Sequence, residues 1–291
     1  MRIWQDEFNK FQPGVRFENQ LAATANAIGA LSFNLCDIGL MGREIWQMED
    51  IGYRRLMHAS PIEIAVASGS FDIALKTSAF AILVHKDNPL RRISIEQLDA
   101  IFGCERRRGA ANDLRKWGQL GLGGKWRKLP IRPYGYAINS GLGHFIEQFV
   151  MEGSSKWNSD LREYKNVTDA SDRILEEAGA RMTRDLSSDP AGIAFVPIAY
   201  LTSATKALAI RSSGNAAFIP LTRETVADRT YPLARSVYFY VNGTKMDVAV
   251  REFLLFVLSR QGREAAFRQS VFLPLPDEFI RAQRMKIDEL H

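Results

Sequence analysis

Along this chain, runs of apolar residues alternate between the spacing of strands and the spacing of helices. The runs IEIAVASG, FAILVHKDN and GIAFVPIAYL are rich in β-branched residues and predict buried strands. The segment YPLARSVYFYVN alternates aromatic and β-branched residues and carries the strongest strand signal. Helical spacing instead predicts helices at Trp4–Phe11 and within VAVREFLLFVLSRQGREAAFRQ. The alternation of the two types predicts an α/β protein.

Capping residues set the predicted ends of several helices. Ser94 and Gln97 form a capping-box pattern for the helix IEQLDAIF, and Gly103 is predicted to end it. Ser140-Gly141 introduces the helix HFIEQFVM, and Thr24 is predicted to cap ANAIGALSF. Further strands are predicted at VRFEN, CDIGLMG, IRPYGY and KALAI, and further helices at residues 43–56 and 169–181.

Composition excludes disordered and fibrous classes. The chain has 291 residues, of which 46% are hydrophobic and 24% charged, and this is enough for two lobes with substantial cores. No apolar run approaches the roughly 20 residues that a membrane-spanning helix needs. The first residues, MRIWQDEFNKFQPGV, carry charges and lack the apolar core of a signal peptide. We therefore expect either a cytoplasmic protein or a chain whose beginning is missing.

Positive charge is concentrated in one segment. Residues 105–132 contain nine basic and two acidic side chains, a local net charge of +7, although the whole chain carries only +5. Such a patch can steer anions or attract nucleic acid. The alternative is an ordinary solvated loop, since no array of aromatic residues is interleaved with these charges.

The sequence lacks the motifs of common enzymes. No HExxH motif occurs, no GxSxG surrounds a serine, and GLGGKW fits neither a dinucleotide fingerprint nor a P-loop. The four histidines show no metal-ligand spacing. We expect Cys36 and Cys104 to be free thiols, Cys36 as a small core residue, with a disulfide as the alternative. No catalytic residue, metal or cofactor is predicted.

Several motifs occur in a fixed order that is typical of one family. They are HKDNPL with IEQLDAIFG, WGQLGL, Ser-Gly before an aromatic-containing helix, GIAF, YPLAR with YFYVN, FLLFVLSRQG and FLPLP. Their order resembles that of the PstS-like phosphate-binding proteins, which are substrate-binding components of ABC transporters. The resemblance covers almost the whole chain.

The resemblance implies a type II periplasmic binding protein fold with two α/β lobes. Lobe I would comprise residues 1–82 and 231–291, and lobe II residues 83–230. Two hinge segments would cross between the lobes, near residues 80–84 and 231–240, with the ligand in the interlobe cleft. Closure around the ligand would be a hinge motion.

The family's lobe II loop holds phosphate with an arginine four residues before Ser-Gly-Thr. Ser140 and Gly141 match this pattern, whereas Tyr136 replaces the arginine and Leu142 the threonine. Ile138 stands where some members carry an acidic residue. Tyr136 can instead contact an organic ligand or be an ordinary half-buried strand residue. A simple helix cap is the alternative role for Ser140.

The lobe I site is also altered. Thr24 aligns with the family's serine, while its glycines align with residues 21–23, which are Leu, Ala and Ala. Gly42 replaces the expected serine or aspartate. Arg43 can supply the missing positive charge, or it can pair with Glu44 or a neighbour. His144 is a further candidate as a pH-sensitive donor.

The family normally begins with a central strand of lobe I, and this chain starts at the helix that follows. We expect the first N-terminal strand to be absent, either because the start is truncated or with another chain or a rearranged strand filling the gap. An unfilled gap would leave backbone groups unpaired.

These observations predict a non-enzymatic solute-binding protein for phosphate or another small anionic or polar ligand. Its predicted ligand-binding residues are Thr24, Arg43, Tyr136, Ser140, Gly141 and Leu142. By resemblance it would be a monomeric extracytoplasmic or periplasmic protein that serves an ABC transporter permease, with no nucleic-acid partner. The alternative is a degenerate two-lobed scaffold that acts as an interaction or regulatory protein.

Overall fold

The structure is a computed structural model, and it describes residues 1–20, 24–73, 76–171, 173–268 and 271–289. The chain forms two compact units. Unit 1 comprises Met1–Ser78, Ala227–Arg229 and Arg235–His291, and unit 2 comprises Ala79–Val226 and Thr230–Ala234. The chain thus passes from unit 1 to unit 2 after Ser78 and returns finally at Arg235.

Helices and strands alternate over most of the chain, as the α/β prediction expects. The helices are α1 (Arg2–Phe8), α2 (Ala27–Ser32), α3 (Gln47–Met57), α4 (Ile95–Phe102), α5 (Gly141–Phe149), α6 (Ala178–Leu186), α7 (Arg223–Ala227), α8 (Val248–Val257), α9 (Arg260–Arg268) and α10 (Asp277–Asp288). The strands are β1 (Ile38–Met41), β2 (Ile62–Ser68), β3 (Phe80–His85), β4 (Arg92–Ser94), β5 (Arg132–Tyr136), β6 (Arg162–Tyr164), β7 (Val167–Thr168), β8 (Ile174–Glu176), β9 (Gly192–Pro197), β10 (Thr205–Ala207), β11 (Ala209–Arg211) and β12 (Ser236–Val241).

A three-stranded sheet in the order β1-β12-β2 forms the centre of unit 1. The middle strand is antiparallel to both neighbours, with Tyr240 opposite Gly39 on one side and Glu63 on the other. The core on this sheet includes Trp4, whose ring meets Phe239 edge to face at a centroid distance of 5.7 Å. The Trp4 indole N–H also donates to the Gly262 carbonyl at 2.7 Å, which ties α1 to α9.

Unit 2 contains a five-stranded mixed sheet in the order β10-β3-β9-β5-β6. Strands β5 and β6 are parallel, as are β5 and β9, while β3 is antiparallel to β9 and β10. Residues 80–84 are fully buried, which fits their continuous apolar sequence. Strand β5 of this sheet ends at Tyr136, and α5 begins at Gly141 after a short loop.

The capping predictions for α4 and α5 are confirmed. The Ser94 hydroxyl accepts from Gln97 N at 3.2 Å, and the Gln97 side chain accepts from Ser94 N at 3.0 Å. Gly103 is the C-terminal cap of α4. Both predictions rest on contacts within four residues, which the local sequence determines.

Three local predictions are wrong. Residues 15–19 form no strand, and Val15 and Phe17 instead pack against the core of unit 1. The cap of α2 is Asn26, because Thr24–Asn26 forms a separate 3-10 turn before that helix. Arg43 and Glu44 precede α3, which begins only at Gln47.

The helix predicted at residues 169–181 is wrong over residues 169–171 and 173–177, whereas residues 178–181 belong to α6 and residue 172 lies outside the described part of the chain. The Asp169 carboxylate accepts backbone N–H groups from Ser171 at 2.9 Å and Arg173 at 3.0 Å, and it thereby shapes a turn. Strands β7 and β8 pair across this turn, and the helix starts at Ala178. The sequence interpretation also missed α10, whose Ile280 and Ile287 are buried in unit 1.

Several arginines of the basic segment hold the loop in place. Arg106 and Arg115 both pair with Asp113, and Arg108 donates to the Phe149 carbonyl at 2.9 Å. Arg107 lies 2.8 Å from the Glu105 carboxylate. Hydrogen bonds from Lys156 and then from Ser154 lower the pKa of the Glu105 carboxyl to about 2. These contacts give four of the nine cations a structural role.

The two cysteines are free, as predicted, with Cys36 partly buried and Cys104 exposed. Burial raises the pKa of the Cys36 thiol. Within the described ranges, no helix is both long enough and apolar enough to span a membrane.

Candidate functional site

Ser140 forms the corner between β5 and α5. Its backbone is extended, and its hydroxyl accepts a hydrogen bond from Gly143 N at 3.1 Å while donating to the Ala137 carbonyl at 2.6 Å. This is the helix cap that the sequence pattern predicts. A ligand that binds the Ser140 hydroxyl would accept its hydrogen bond in place of the Ala137 carbonyl.

Gly143 allows the loop before α5 to lie close to the first turn of the helix. A Cβ at residue 143 would lie 2.5 Å from the Ala137 carbonyl oxygen and 3.0 Å from that of Ile138. A side chain at this position would therefore push the loop away from the helix start.

The first turn of α5 presents backbone donors. In the part of the chain that the structure describes, no group accepts a hydrogen bond from the N–H of Gly141 or Leu142. Free N–H groups at a helix start carry partial positive charge, and they suit an anion. The first turn therefore combines the Ser140 hydroxyl with two N–H groups that have no acceptor in the described chain, all within three consecutive residues.

Tyr136, the last residue of β5, is buried with 7% of its surface exposed. Its ring packs near Phe80 and Phe195, with centroid distances of 6.4 Å and 6.3 Å. Phe80 also stacks on Phe145 of α5 at 5.1 Å. This aromatic cluster connects β5 with α5, and it gives Tyr136 a core role.

Glu163 was missed by the sequence interpretation. Its carboxylate accepts a hydrogen bond from Ile138 N at 2.9 Å. Strand β6 runs parallel to β5 with Gly135 opposite Glu163, and this register brings the carboxylate to the loop that follows Tyr136. No local motif indicates such a contact, because it depends on how two distant strands pair. A negative charge therefore lies beside the loop where the resemblance implies an anion site.

His144 lies on the same helix and pairs with a carboxylate. Its Nδ1 is 3.0 Å from Glu147 Oε2, and Glu147 also accepts the indole N–H of Trp157 at 2.7 Å. These contacts link α5 to the segment that follows it.

In unit 1, Thr24 opens the 3-10 turn before α2 and is partly exposed. The aligned residues 21–23 lie outside the described part of the chain. Thr24 thus lies just before α2, although it is not the residue that caps this helix.

Arg43 lies in the segment between β1 and α3 and has only 9% of its surface exposed. Its guanidinium makes two hydrogen bonds to the Glu49 carboxylate, at 2.8 Å and 2.7 Å, and lies 4.2 Å from the centroid of the Trp46 ring. Two parallel bonds and a stacked ring are the geometry that an arginine fork favours. The carboxylate partner is Glu49, while Glu44 accepts from the Arg43 guanidinium through its backbone carbonyl at 2.9 Å.

The same segment is tied to β12 by buried tyrosines. Tyr238 donates to Glu44 at 2.5 Å, while Tyr240 donates to Glu63 and accepts from Ile45 N at 2.8 Å. Burial raises the pKa of Glu63 despite the Tyr240 bond. Arg235, itself buried, donates to the Gly42 carbonyl at 3.0 Å. The loop that follows β1 is therefore firmly positioned.

The predicted site residues divide between the two units. Tyr136, Ser140, Gly141 and Leu142 come together at the junction of β5 and α5, whereas Thr24 and Arg43 belong to unit 1. Over the described ranges, no three His, Cys, Asp or Glu side chains are arranged to hold a metal ion.

The sequence is similar to known binding proteins over most of its length. A family model described as a PBP superfamily domain matches residues 6–261. The phosphate-binding protein PstS of Pseudomonas aeruginosa strain PAO1 is 30% identical over 281 residues, which cover 95% of this chain and 79% of the relative. Protein SphX of Synechococcus elongatus is 26% identical over 275 residues, covering 93% of this chain and 72% of the relative.

Solved structures show the same fold at lower sequence identity. An ABC-type phosphate transport receptor from Vibrio cholerae has a TM-score of 0.58 at 18% identity and covers 95% of each chain. PstS from Borrelia burgdorferi has a TM-score of 0.59 at 16% identity and covers 94% of each chain. These neighbours support the α/β architecture read from the sequence.

Proposed function

Because this chain belongs to the PBP superfamily, as a PstS-like member, we propose that it is a non-enzymatic receptor that binds inorganic phosphate weakly. The curated relative at 30% identity is named as a phosphate-binding protein, which supports phosphate as the first ligand to test. The proposal also covers another small oxyanion that the same donors can bind.

The observation that carries the proposal is the start of α5. Ser140 supplies a hydroxyl, and Gly141 and Leu142 supply N–H groups without an acceptor in the described chain. Short, aimed donors of this kind hold an oxyanion without a metal ion. In the proposed site these groups bind phosphate oxygens, and the Arg43 guanidinium stays paired with Glu49.

Weak binding follows from the side chains that the site lacks. Tyr136 and Ile138 replace an arginine and an acidic group that the resemblance implies, and Leu142 replaces a hydroxyl. Each missing hydrogen bond to a charged group costs about 1.5–3 kcal/mol. Two such losses weaken binding by about two to four orders of magnitude. The Glu163 carboxylate adds like-charge repulsion.

Isothermal titration with phosphate tests this proposal, with sulfate as the comparison anion. We expect saturable phosphate binding with one site per chain, weakened about tenfold or more in Ser140→Ala because that variant lacks the donating hydroxyl. Ser154→Ala is the matched control, since the Ser154 hydroxyl donates to Glu105 in the same unit. Sub-micromolar phosphate binding would contradict the divergent site, and no binding at millimolar phosphate would contradict the proposed ligand.

The proposal includes an extracytoplasmic location and an ABC transporter permease as partner. Both come from the PstS-like membership. Fractionation of the producing cells, with a cytoplasmic enzyme as marker, tests the location. Co-purification with a membrane permease tests the partner, and recovery of the protein with the cytoplasmic marker alone would contradict both.

A further inference from the structure

Part of the positive charge in the basic segment at residues 105–132 is not compensated. Four of its nine cations support the loop as described above, and Arg132 lies 3.1 Å from the Asp189 carboxylate. In the part of the chain that the structure describes, the other four form no ion pair, and all four are exposed. They are Lys116, Lys125, Arg127 and Lys128. The uncompensated charge of this segment therefore lies within residues 116–128.

The loop at residues 115–131 is closed by contacts between its two arms. Trp117 N donates to the Leu129 carbonyl at 3.0 Å. A Cβ built on Gly118 would lie 2.3 Å from the Arg127 carbonyl oxygen, so the close approach of the arms requires glycine here. The cations on the outgoing and the returning arm are therefore held near one another.

Two tryptophans anchor this loop to unit 2. Trp117 is fully buried, and its indole N–H donates to the Ala191 carbonyl at 3.1 Å. The buried Trp126 ring meets the Trp117 ring edge to face at a centroid distance of 6.2 Å. The Lys125 ammonium lies 5.8 Å from the centroid of the Trp126 ring. The backbone that carries the four cations is thus anchored, while their side chains remain exposed.

The sequence of the loop adds no negative charge, and its tip is apolar. No acidic residue occurs between Asp113 and Glu147 in the sequence. Asp113 itself already pairs with Arg106 and Arg115. The tip at residues 120–124 has the sequence LGLGG, and its two leucines are partly exposed. The loop therefore combines apolar side chains at its tip with cations on both arms.

The chemistry of the loop favours a lipid surface over nucleic acid or an acidic protein. Bases stack on exposed aromatic rings, whereas both tryptophans of the loop are buried. Paired recognition of carboxylates favours the arginine fork, but three of the four cations are lysines. A lysine is a point charge on a flexible apolar stem, and it suits the diffuse negative charge of lipid headgroups. Partly exposed leucines suit the boundary between headgroups and acyl chains.

We propose that the loop at residues 115–131 is a docking surface for an anionic phospholipid bilayer. The four cations contact negatively charged headgroups, and the leucines of the tip enter the headgroup boundary. The contact is peripheral and reversible, because a few cations bind such a surface weakly and salt screens them. The inference goes beyond the proposed function, since it uses none of the residues at the start of α5.

Co-sedimentation of the full chain with large vesicles tests the proposal. Vesicles of phosphatidylcholine with about one third phosphatidylglycerol are compared with vesicles of phosphatidylcholine alone. We expect binding only to the anionic vesicles, and we expect it to disappear at about 0.5 M salt. Each cation near an anionic surface contributes roughly fivefold to the partition coefficient. Replacing all four by glutamine should therefore weaken binding by about a hundredfold or more.

The control variant replaces four exposed cations outside the loop by glutamine. It also removes three lysines and one arginine, so the net charge falls by the same amount. We expect its partition coefficient to stay within about threefold of that of the original protein, because these cations lie away from the docking surface. The four control positions are Lys86, Arg91, Lys165 and Lys245.

Urea unfolding of both variants separates loss of the fold from loss of binding. If the loop variant is less stable, Lys125→Glu alone repeats the test at a single exposed position. This change reverses one charge, so we expect it to weaken vesicle binding by about twentyfold.

The proposal is overturned if the original protein binds anionic vesicles no better than neutral ones, or if the loop variant and the control variant bind equally. Without vesicle binding, retention by single-stranded DNA that the loop variant loses would assign the surface to nucleic acid instead. Retention by polyglutamate alone would assign it to an acidic protein. None of these results depends on phosphate binding at the start of α5, so the two proposals can fail separately.

Discussion

The carboxylate of Glu163 accepts a hydrogen bond from the backbone N–H of Ile138 at 2.9 Å. This contact occupies a backbone donor of the loop before α5, and it holds a carboxylate at Ile138, two residues before Ser140. The helix start that is suited to an anion therefore has an anionic side chain of the protein as its neighbour.

Removing this charge is expected to strengthen phosphate binding. Glutamine in Glu163→Gln can still accept the Ile138 N–H, so the loop keeps its shape. The relief of like-charge repulsion is on the order of 0.5–2 kcal/mol, which corresponds to roughly two- to thirtyfold tighter binding. Isothermal titration with phosphate measures the change.

Glu176→Gln is the control for this prediction, because Glu176 pairs with Arg184 at 2.5 Å instead of contacting residues 137–140. Equal affinity in Glu163→Gln and the original protein would show that no anion binds near the loop. A gain that disappears at high salt would still agree with the prediction, since salt screens the repulsion.

Leu142 offers a gain-of-function test. Leu142→Thr adds a hydroxyl beside the helix start, and one new hydrogen bond to a charged ligand tightens binding by about tenfold. Leu142→Val has the shape of threonine without the hydroxyl, and we expect it to bind as the original protein does. Equal titration curves for the threonine and valine variants would place the ligand elsewhere.

Arg43 is expected to affect stability more than binding. Lysine in Arg43→Lys keeps the charge but cannot form both bonds to Glu49, so the variant loses about 1.5–3 kcal/mol of unfolding free energy. Phosphate affinity stays within about twofold, because the guanidinium already pairs with Glu49. Urea unfolding and titration together measure the two effects.

Arg55→Lys, an exposed change on α3, which also carries Glu49, is the control for Arg43 and should alter neither quantity. A large loss of phosphate affinity with unchanged stability in Arg43→Lys would instead assign Arg43 to ligand binding, as predicted from the sequence.

Glu63 gives the protein a pH dependence with a defined sign. Burial raises its pKa in the folded state above the ordinary value of 4.5. Between 4.5 and the raised pKa the folded state binds more protons than the unfolded chain, so the free energy of unfolding falls as pH rises. Glu63→Gln removes this contribution and still accepts the Tyr240 hydroxyl.

Urea midpoints of Glu63→Gln and the original protein at several pH values from 4.5 to 8 measure this contribution of Glu63 to stability. We expect the original protein to lose stability relative to the variant as pH increases. Glu278→Gln, which removes an exposed carboxylate on α10, controls for net charge. A constant difference across the range would mean that Glu63 has the same pKa in both states.

Features that depend on neighbouring residues could be predicted from the sequence. The Ser94 and Ser140 caps rest on bonds that span three residues, and the buried strand at 80–85 is evident from its continuous apolar run. The order of motifs across the chain was sufficient to identify the family and its α/β fold.

Features that depend on distant pairing could not be predicted. The strand expected at residues 15–19 does not form, although Val15 and Phe17 alternate with polar residues, because a strand requires a partner that no local pattern reveals. Glu163 reaches Ile138 only through the register of β6 on β5. The altered residues at the site could be read from the sequence, but the contact of Glu163 with Ile138 could not.

The central claim is that an oxyanion binds at the Ser140-capped start of α5. Titration of the ¹⁵N-labelled protein with inorganic phosphate, followed by amide NMR, tests it most directly. The account predicts saturable shifts of the Gly141 and Leu142 amides that decrease in Ser140→Ala. The claim would be contradicted by the absence of any saturable shift. It would also be contradicted by shifts confined to the exposed basic residues Lys116, Lys125, Arg127 and Lys128.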